Sequence, residues 1–426
     1  MLPSTVEARR ALPKLDIDVE GYYWTRFVYL SDLASFDQHL LPSTQSSLRE
    51  PITDTRYLTH HVRLEPRVSL GRLARLNTRI DALQDVVWGD NDARSPSPLF
   101  EARPTETDFL GRRVPSIKLT AIYLDLKLRV GNVKVGRMPF QWGMGLLYNS
   151  GGNLIRNRAG VDDDFGDNHF PTIYDRIMLS AEVLELVDLL RGKEKQSGNH
   201  SLIAAYSYDR LVEEPFDPGI PTAHQRPLGD QTFLSRQANN VDQHGAALFY
   251  RWYRFADGVS SLKSYGPSEL VLGVYGAYRR QRRLSGIVRV WDAETMGFAA
   301  HDCSSPMELA QCGTDSDLYI LDPYMKVKLG RLITVESEGY LITGSTEPFA
   351  APLGEQVTRV RTYGWAMRVT SKVLRWLNFK LDAGQASGDG SNSDGVYRQR
   401  PMHPDHNVGL IMYEEFLRQR SAMAPV

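Results

Sequence analysis

Charged side chains of both signs recur at alternate positions of stretches that are otherwise β-prone. Arg75, Arg79 and Asp81 form one such set; Asp125, Lys127 and Arg129 form a second. Lys326, Lys328, Glu336, Glu338, Lys380 and Asp382 repeat the pattern later in the chain. Residues two apart on a strand share a face. Inside a water-filled lumen such a face sets the field that a passing solute feels. The same residues can serve as ion-pair ladders between neighbouring strands, and that structural use is expected for most of them. Two acid-rich stretches, Asp162, Asp163, Asp164 and Asp167 and then Asp389 and Asp394, offer hard oxygens suited to calcium. Neither has the spacing or the terminal glutamate of an EF-hand loop, so they read as solvated loop acids, and no metal or cofactor is expected. Catalysis has no candidate. There is no Gly-x-Ser-x-Gly elbow and no His-Glu-x-x-His motif, and the adjacent His200 and Ser201 would point to opposite faces of a strand. No enzyme is expected.

The element that must position the second set spans residues 122–130. Ile122, Leu124, Leu126, Leu128 and Val130 fall on one face, with Tyr123, Asp125, Lys127 and Arg129 on the other. Gly131 and Asn132 tolerate positive φ and predict a tight turn into residues 133–137. Residues 74–85 repeat the arrangement, with Ala74, Leu76, Thr78, Ile80 and Ala82 opposite Arg75, Asn77, Arg79 and Asp81. An aliphatic face backed by a fully charged one fits a membrane barrel that encloses water. Further strands are predicted at 21–30, 57–68, 172–183, 200–211, 243–255, 269–291, 318–329, 332–343, 358–372, 375–386 and 406–418, with 269–291 divisible into two. The total is about fourteen, and fourteen to eighteen would be compatible. Short or medium links near Leu70, Gly131, Leu184, Asp257, Gly330 and Val373 alternate with long polar ones near Ala34, Trp88, Trp142, Val212, Ala293, Gly344 and Ser387. Outer-membrane barrels sort their links this way, short on the periplasmic side and long outside. The expected fold is therefore all-β: a transmembrane antiparallel β-barrel over residues 21–418, between a tail at 1–20 and another at 419–426.

Composition removes several alternatives. No stretch approaches the roughly 18 consecutive apolar residues of a membrane-spanning helix, and a mean hydropathy of −0.35 suits a barrel as well as a soluble chain. Fifty basic residues balance 51 acidic ones, so the global basic field of a nucleic-acid binder is missing. Cys303 and Cys312, the only cysteines, sit in a polar segment at a spacing that suits a loop-closing disulfide, with two free thiols as the alternative. Residues 1–14 contain no apolar signal-peptide core, so no export signal is expected in this chain.

From Val135 the chain reads Gly136-Arg137-Met-Pro139-Phe-Gln-Trp142-Gly143-Met-Gly145-Leu-Leu-Tyr-Asn149-Ser-Gly151. This run resembles large outer-membrane barrels of delta-class proteobacteria that are similar to alginate-export porins. Asp322-Pro-Tyr-Met-Lys-Val-Lys328 with Val335-Glu-Ser-Glu338 is similar to that family's paired strands bearing inward acids. Phe165-Gly-Asp167, Tyr174-Asp-Arg176, Ala386-Ser-Gly-Asp389 and the run from His403 to Met412 fit the same family. The resemblance covers roughly residues 115–418 and implies a passive or export channel in a Gram-negative outer membrane. It transfers no particular substrate. The expected mechanism is diffusion of a polar small solute or polysaccharide through the charged, hydrated lumen of a barrel surrounded by outer-membrane lipid, narrowed by the long loops and especially by residues 142–171. A plugged barrel serving as a surface platform and a soluble all-β binding protein are the competing readings.

Overall fold

A computed structural model describes residues 15–31, 54–89, 117–150, 172–192, 198–211, 240–256, 259, 266–282, 287–292, 297–302, 315–346, 358–372 and 377–388, with short stretches between 395 and 406. The strands are β1 (Leu15–Ser31), β2 (Asp54–Leu70), β3 (Ala74–Gly89), β4 (Ile117–Lys127), β5 (Gly131–Pro139), β6 (Ile173–Glu182), β7 (His200–Leu211) and β8 (Asn240–Tyr253). After them come β9 (Ser268–Arg282), β10 (Ile287–Asp292), β11 (Gly297–Asp302), β12 (Ser316–Leu329), β13 (Ile333–Thr346), β14 (Thr358–Lys372), β15 (Asn378–Ala386) and β16 (Val396–Tyr397). From β1 to β9 and from β12 to β15 each strand pairs antiparallel with the next. β9 pairs with β12, and β16 adds a parallel pairing to β14, which makes a sheet of fourteen strands. The hairpin β10–β11 lies off this sheet. The fold is thus the all-β antiparallel meander that the alternating pattern predicts, with one short helix among the described residues, α1 (Val183–Leu190), where a simple link was expected. That segment, VLELVDLL, has a helical rather than a two-residue apolar period.

The sheet rolls up on its polar face. Leu15, Ile17 and Val19 of β1, Leu64 of β2, Leu76 of β3, Ile122 and Leu124 of β4, Ile177 and Leu179 of β6, and Leu321 of β12 are all exposed. The residues between them are enclosed: Arg63 is 1% exposed, Asp81 2% and Asp209 0%. A water-soluble protein has the opposite arrangement. Aliphatic faces this extensive need an apolar surround, and charges this deep need partners.

Most boundaries fall within a few residues of expectation, and three of the differences have a physical reason. β1 begins at Leu15 rather than 21, because Leu15, Ile17 and Val19 alternate with Asp16, Asp18 and Glu20 just as the clearer strands do. The predicted strand at 269–291 divides, and its second part leaves the main sheet as β10. β4 ends at Lys127, and the turn is made by residues 128–130, closed by the Leu128 N–H donating to the Gly131 carbonyl at 2.8 Å. Gly131 and Asn132 already belong to β5, and neither has a positive φ. Gly131 is required for a different reason: a Cβ there would overlap the carbonyl oxygen of Ser180 on β6. The predicted strand at 406–418 lies outside the described residues, apart from His406, which is not in a strand.

Candidate functional site

The centre of the barrel is filled from within. After β5 the chain folds inward, and Phe140, Trp142, Leu146, Leu147 and Tyr148 pack against Tyr174 of β6, Tyr275 of β9, Ile320 of β12 and Tyr340 of β13. Leu146 is 0% exposed. The turn needs glycine at Gly143 and Gly145, whose φ values of 49° and 85° lie in the left-handed region. A Cβ at Gly143 would also collide with the carboxylate of Glu338. That carboxylate holds the turn: it accepts the backbone N–H groups of Met144, Gly145 (3.1 Å) and Leu146 (3.1 Å). The Trp142 indole N–H reaches the Asp322 carbonyl at 3.1 Å. Both carboxylate oxygens of Asp322 are buried beside this turn without a hydrogen-bond partner among the described residues.

A second segment closes over the first. The His403 N–H donates to the Leu146 carbonyl at 2.6 Å, and the His403 ring meets the Thr172 hydroxyl at 3.2 Å. The His406 ring lies 3.2 Å from the Met144 carbonyl, and Tyr340 donates to the Arg400 carbonyl at 2.9 Å. Burial pushes His406 down to about 4, with Arg368 and Lys380 opposing a charge there and Asp382 favouring it. A released His406 titrates near its ordinary 6.5 and takes up a proton before the docked one does. The docked state is therefore favoured above that pH, and the advantage is lost as pH falls through about 4. A shift of this size corresponds to roughly 3 kcal/mol. The protection of the Met402, His403 and His406 amides, taken as exchange relative to the intrinsic rate at each pH, should fall steeply between pH 6.5 and pH 4, and His406→Gln should flatten that dependence. An equally steep fall in the variant would show that another group is responsible.

Two charged clusters line the wall around this plug. On β2–β4, Asp81 receives the Arg63 guanidinium at 2.5 Å, the His61 ring at 2.8 Å and the Thr120 hydroxyl at 2.5 Å. Next to it Arg79 donates to Glu65 at 2.9 Å and reaches across to the Ser150 carbonyl at 2.9 Å, tying the plug to this wall. On β6–β9, Arg176 makes a two-pronged bond to Asp209 (2.5 and 2.7 Å) and lies over the ring of Phe140, 4.0 Å from its centre. Gln243 joins Asp209, Tyr275 and Arg279. Lumen-facing charge is thus fixed in pairs near mid-barrel.

The expected lumen residues divide into three groups. Arg75, Asp125, Lys127, Lys326, Lys328, Glu336, Lys380 and Asp382 face the interior nearer the short-turn end, where they are part-buried or exposed. Several are paired there, Lys326 with Glu336 at 2.6 Å and Asp382 with Arg368 at 2.7 Å. Arg79, Asp81 and Glu338 are enclosed, and Glu338, 1% exposed, anchors the plug instead of facing water. Arg129 is a correction: it stands in the exposed turn beyond β4, because the strand ends two residues before it. Of the motif residues, Gly136 and Pro139 lie in β5, Trp142, Gly143, Gly145 and Asn149 build the plug, and Arg137 faces outward. Gly151, the acids Asp162, Asp163, Asp164 and Asp167, and Cys303 and Cys312 lie outside the described residues. Sequence reading missed His61, Arg63, Glu65, Arg176, Asp209 and Gln243. The same two-residue alternation in β2, β6, β7 and β8 would have found them.

These features define an all-β barrel with a polar interior, an apolar outer face and an inward-folded plug. No family model and no curated protein matches the chain. Among solved structures it is similar to a loop L8 deletion mutant of OmpT, an outer membrane protein of Vibrio cholerae, at 8% identity over 87% of this chain and 93% of that one, with a TM-score of 0.33. In-vitro folded OmpT shows 7% identity over 88% of both chains and a TM-score of 0.32. Salmonella typhi OmpF in complex with daunomycin shows 8% identity over 87% and 90% of the two chains, and a TM-score of 0.26.

Proposed function

We propose that this chain is an outer-membrane β-barrel that passes a polar solute through a charged, hydrated lumen narrowed by its own plug. The observation that carries the reading is the inside-out polarity, with aliphatic side chains outside and Arg63, Asp81, Arg176 and Asp209 inside. The arrangement of charge supports diffusion of a polar solute. Mid-barrel charges are neutralised in pairs, whereas the short-turn end keeps water-accessible Lys127, Lys134 and Lys328 together with Asp125 and Glu336. The solute meets both signs. The motif run from Gly136 to Gly151 resembles alginate-export porins and extends the proposal to polysaccharide export. Single-channel recording from refolded protein in a planar bilayer, with circular dichroism confirming strand content, tests the reading. Discrete ohmic steps are expected; silence from folded, inserted protein would leave the plugged platform as the better reading. That second reading is favoured by one observation, the packing of residues 140–150 across the lumen from Glu338 to Arg79.

Charge at the short-turn end gives a finer test. Lys127 and Lys134 face inward on β4 and β5, with Lys134 opposite Asp125. Neutralising both to glutamine should raise cation over anion permeability by about twofold at low salt, and by less as the Debye length shortens. An unchanged reversal potential would make them structural.

A further inference from the structure

The strand register sets a row of opposite charges across the outer face, at the end of the barrel that carries the long connections. Arg137 on β5 stands opposite Asp175 on β6, Asp175 opposite Arg210 on β7, and Arg210 opposite Asp242 on β8. The row continues through Arg280 on β9 and Asp317 on β12 to Ser345 on β13 and Arg359 on β14. Arg137 grips Asp175 with two bonds of 2.8 and 2.9 Å, and Arg282 reaches Asp317 at 3.1 Å. Two residues further into the band, Tyr208, His244, Tyr278 and Tyr319 follow one another in register. The Tyr208 and Tyr278 hydroxyls donate upward to Asp242 and Asp317. Below them Leu321, Leu341 and Tyr363 are exposed and adjacent, with Trp365 beside Gly339 in the next row.

From β5 to β12 this belt is self-neutralising, because three arginines alternate in register with three aspartates. On β14 the alternation stops. Arg359 faces Ser345 and Arg361 faces Thr343, both guanidinium groups are exposed, and neither meets a carboxylate among the described residues. Two residues along a strand separate them by about 7 Å. Unopposed positive charge directly above an apolar and aromatic stripe complements one kind of molecule, an amphiphile with an anionic head and hydrocarbon tails.

We propose that Arg359 and Arg361, with the Ser345 and Thr343 hydroxyls between strands, bind the phosphate of an anionic membrane lipid whose acyl chains lie along Leu321, Leu341, Tyr363 and Trp365. The inference rests on the membrane reading of the fold. It goes beyond that reading by giving the lipid-facing wall a selective headgroup site. The self-neutral part of the belt has no such preference.

The test is native mass spectrometry of refolded protein in detergent, titrated with phosphatidylcholine, phosphatidylglycerol or diphosphoryl lipid A. At least one anionic lipid should be retained about tenfold more than phosphatidylcholine, a preference that fades at high salt. Arg359→Gln with Arg361→Gln should abolish it, and Arg137→Gln should leave it within about twofold. Equal retention of all three lipids by the natural chain, or a preference that persists in the double variant or at high salt, would overturn the proposal. If the double variant does not refold, the natural chain's lipid ranking and salt dependence decide alone. A chain that is folded and monodisperse without detergent would instead refute the membrane reading itself.

Discussion

Glu338→Ala should loosen the plug and raise mean single-channel conductance by about twofold, with frequent brief openings in place of a steady level. The variant deprives the enclosed backbone N–H groups of Met144 and Leu146 of their only described acceptor, whereas that of Gly145 keeps the Trp142 carbonyl at 2.9 Å. Each unsatisfied donor costs about 1–3 kcal/mol, less where water can enter the space left by the side chain. Working against release is the burial of Trp142, Leu146, Leu147 and Tyr148, at roughly 1.5–3 kcal/mol for each large apolar side chain. The apolar term is the larger, so the segment stays docked most of the time. Flicker is therefore expected, not a permanently open pore. Glu338→Gln keeps the shape and an acceptor oxygen but loses the charge, and should fall between the two. Conductance identical to the natural chain in both variants, with refolding confirmed, would show that the plug does not limit the lumen.

Asp81→Ala should be the most destabilising single change in the wall. It takes from Arg63, 1% exposed, the carboxylate that its guanidinium meets at 2.5 Å, and removes an acceptor from His61 and Thr120 at the same time. Breaking an enclosed ion pair from one side costs about 3–5 kcal/mol, because the remaining charge stays buried without its partner. The contrast is Arg67, which bonds Glu20 at 2.8 Å and Glu65 at 3.2 Å, closer to the short-turn end of the same strands. There the Glu20 side chain is one-third exposed, water can replace the lost partner, and Arg67→Ala should cost about 1 kcal/mol or less. Urea unfolding in detergent micelles measures both. If Asp81→Ala moved the midpoint no further than Arg67→Ala, the cluster would not be the stabilising hub its geometry describes.

Much of this was legible in the chain. Strict alternation in β3 and β4 placed Arg75, Arg79, Asp81, Asp125 and Lys127 on the interior face, and the alternating link lengths gave a meander of fourteen strands. The same signal at residues 15–20 was strong enough to extend β1. It was obscured by the charged, proline-containing residues that precede it. The turn after β4 could not be read as easily, since glycine at position 131 serves equally for a positive φ or for close approach, and only the position of Ser180 on β6 distinguishes them. Cys303 and Cys312 and the aspartates at 162–167 remain expectations from sequence.

Local pattern determined which residues form strands and which face of each strand is polar, because a two-residue period is a property of consecutive residues. Tertiary structure decided which of those polar residues meet. Glu338 carries the same alternating signal as Glu336, yet one anchors a turn some 190 residues earlier in the chain while the other pairs with Lys326 directly opposite it on β12. Arg137, Asp175, Arg210, Asp242, Arg280 and Asp317 become a single row only through strand register. Register is fixed by pairing between segments far apart in sequence, and a slip of one residue on any strand would turn its side chains to the other face.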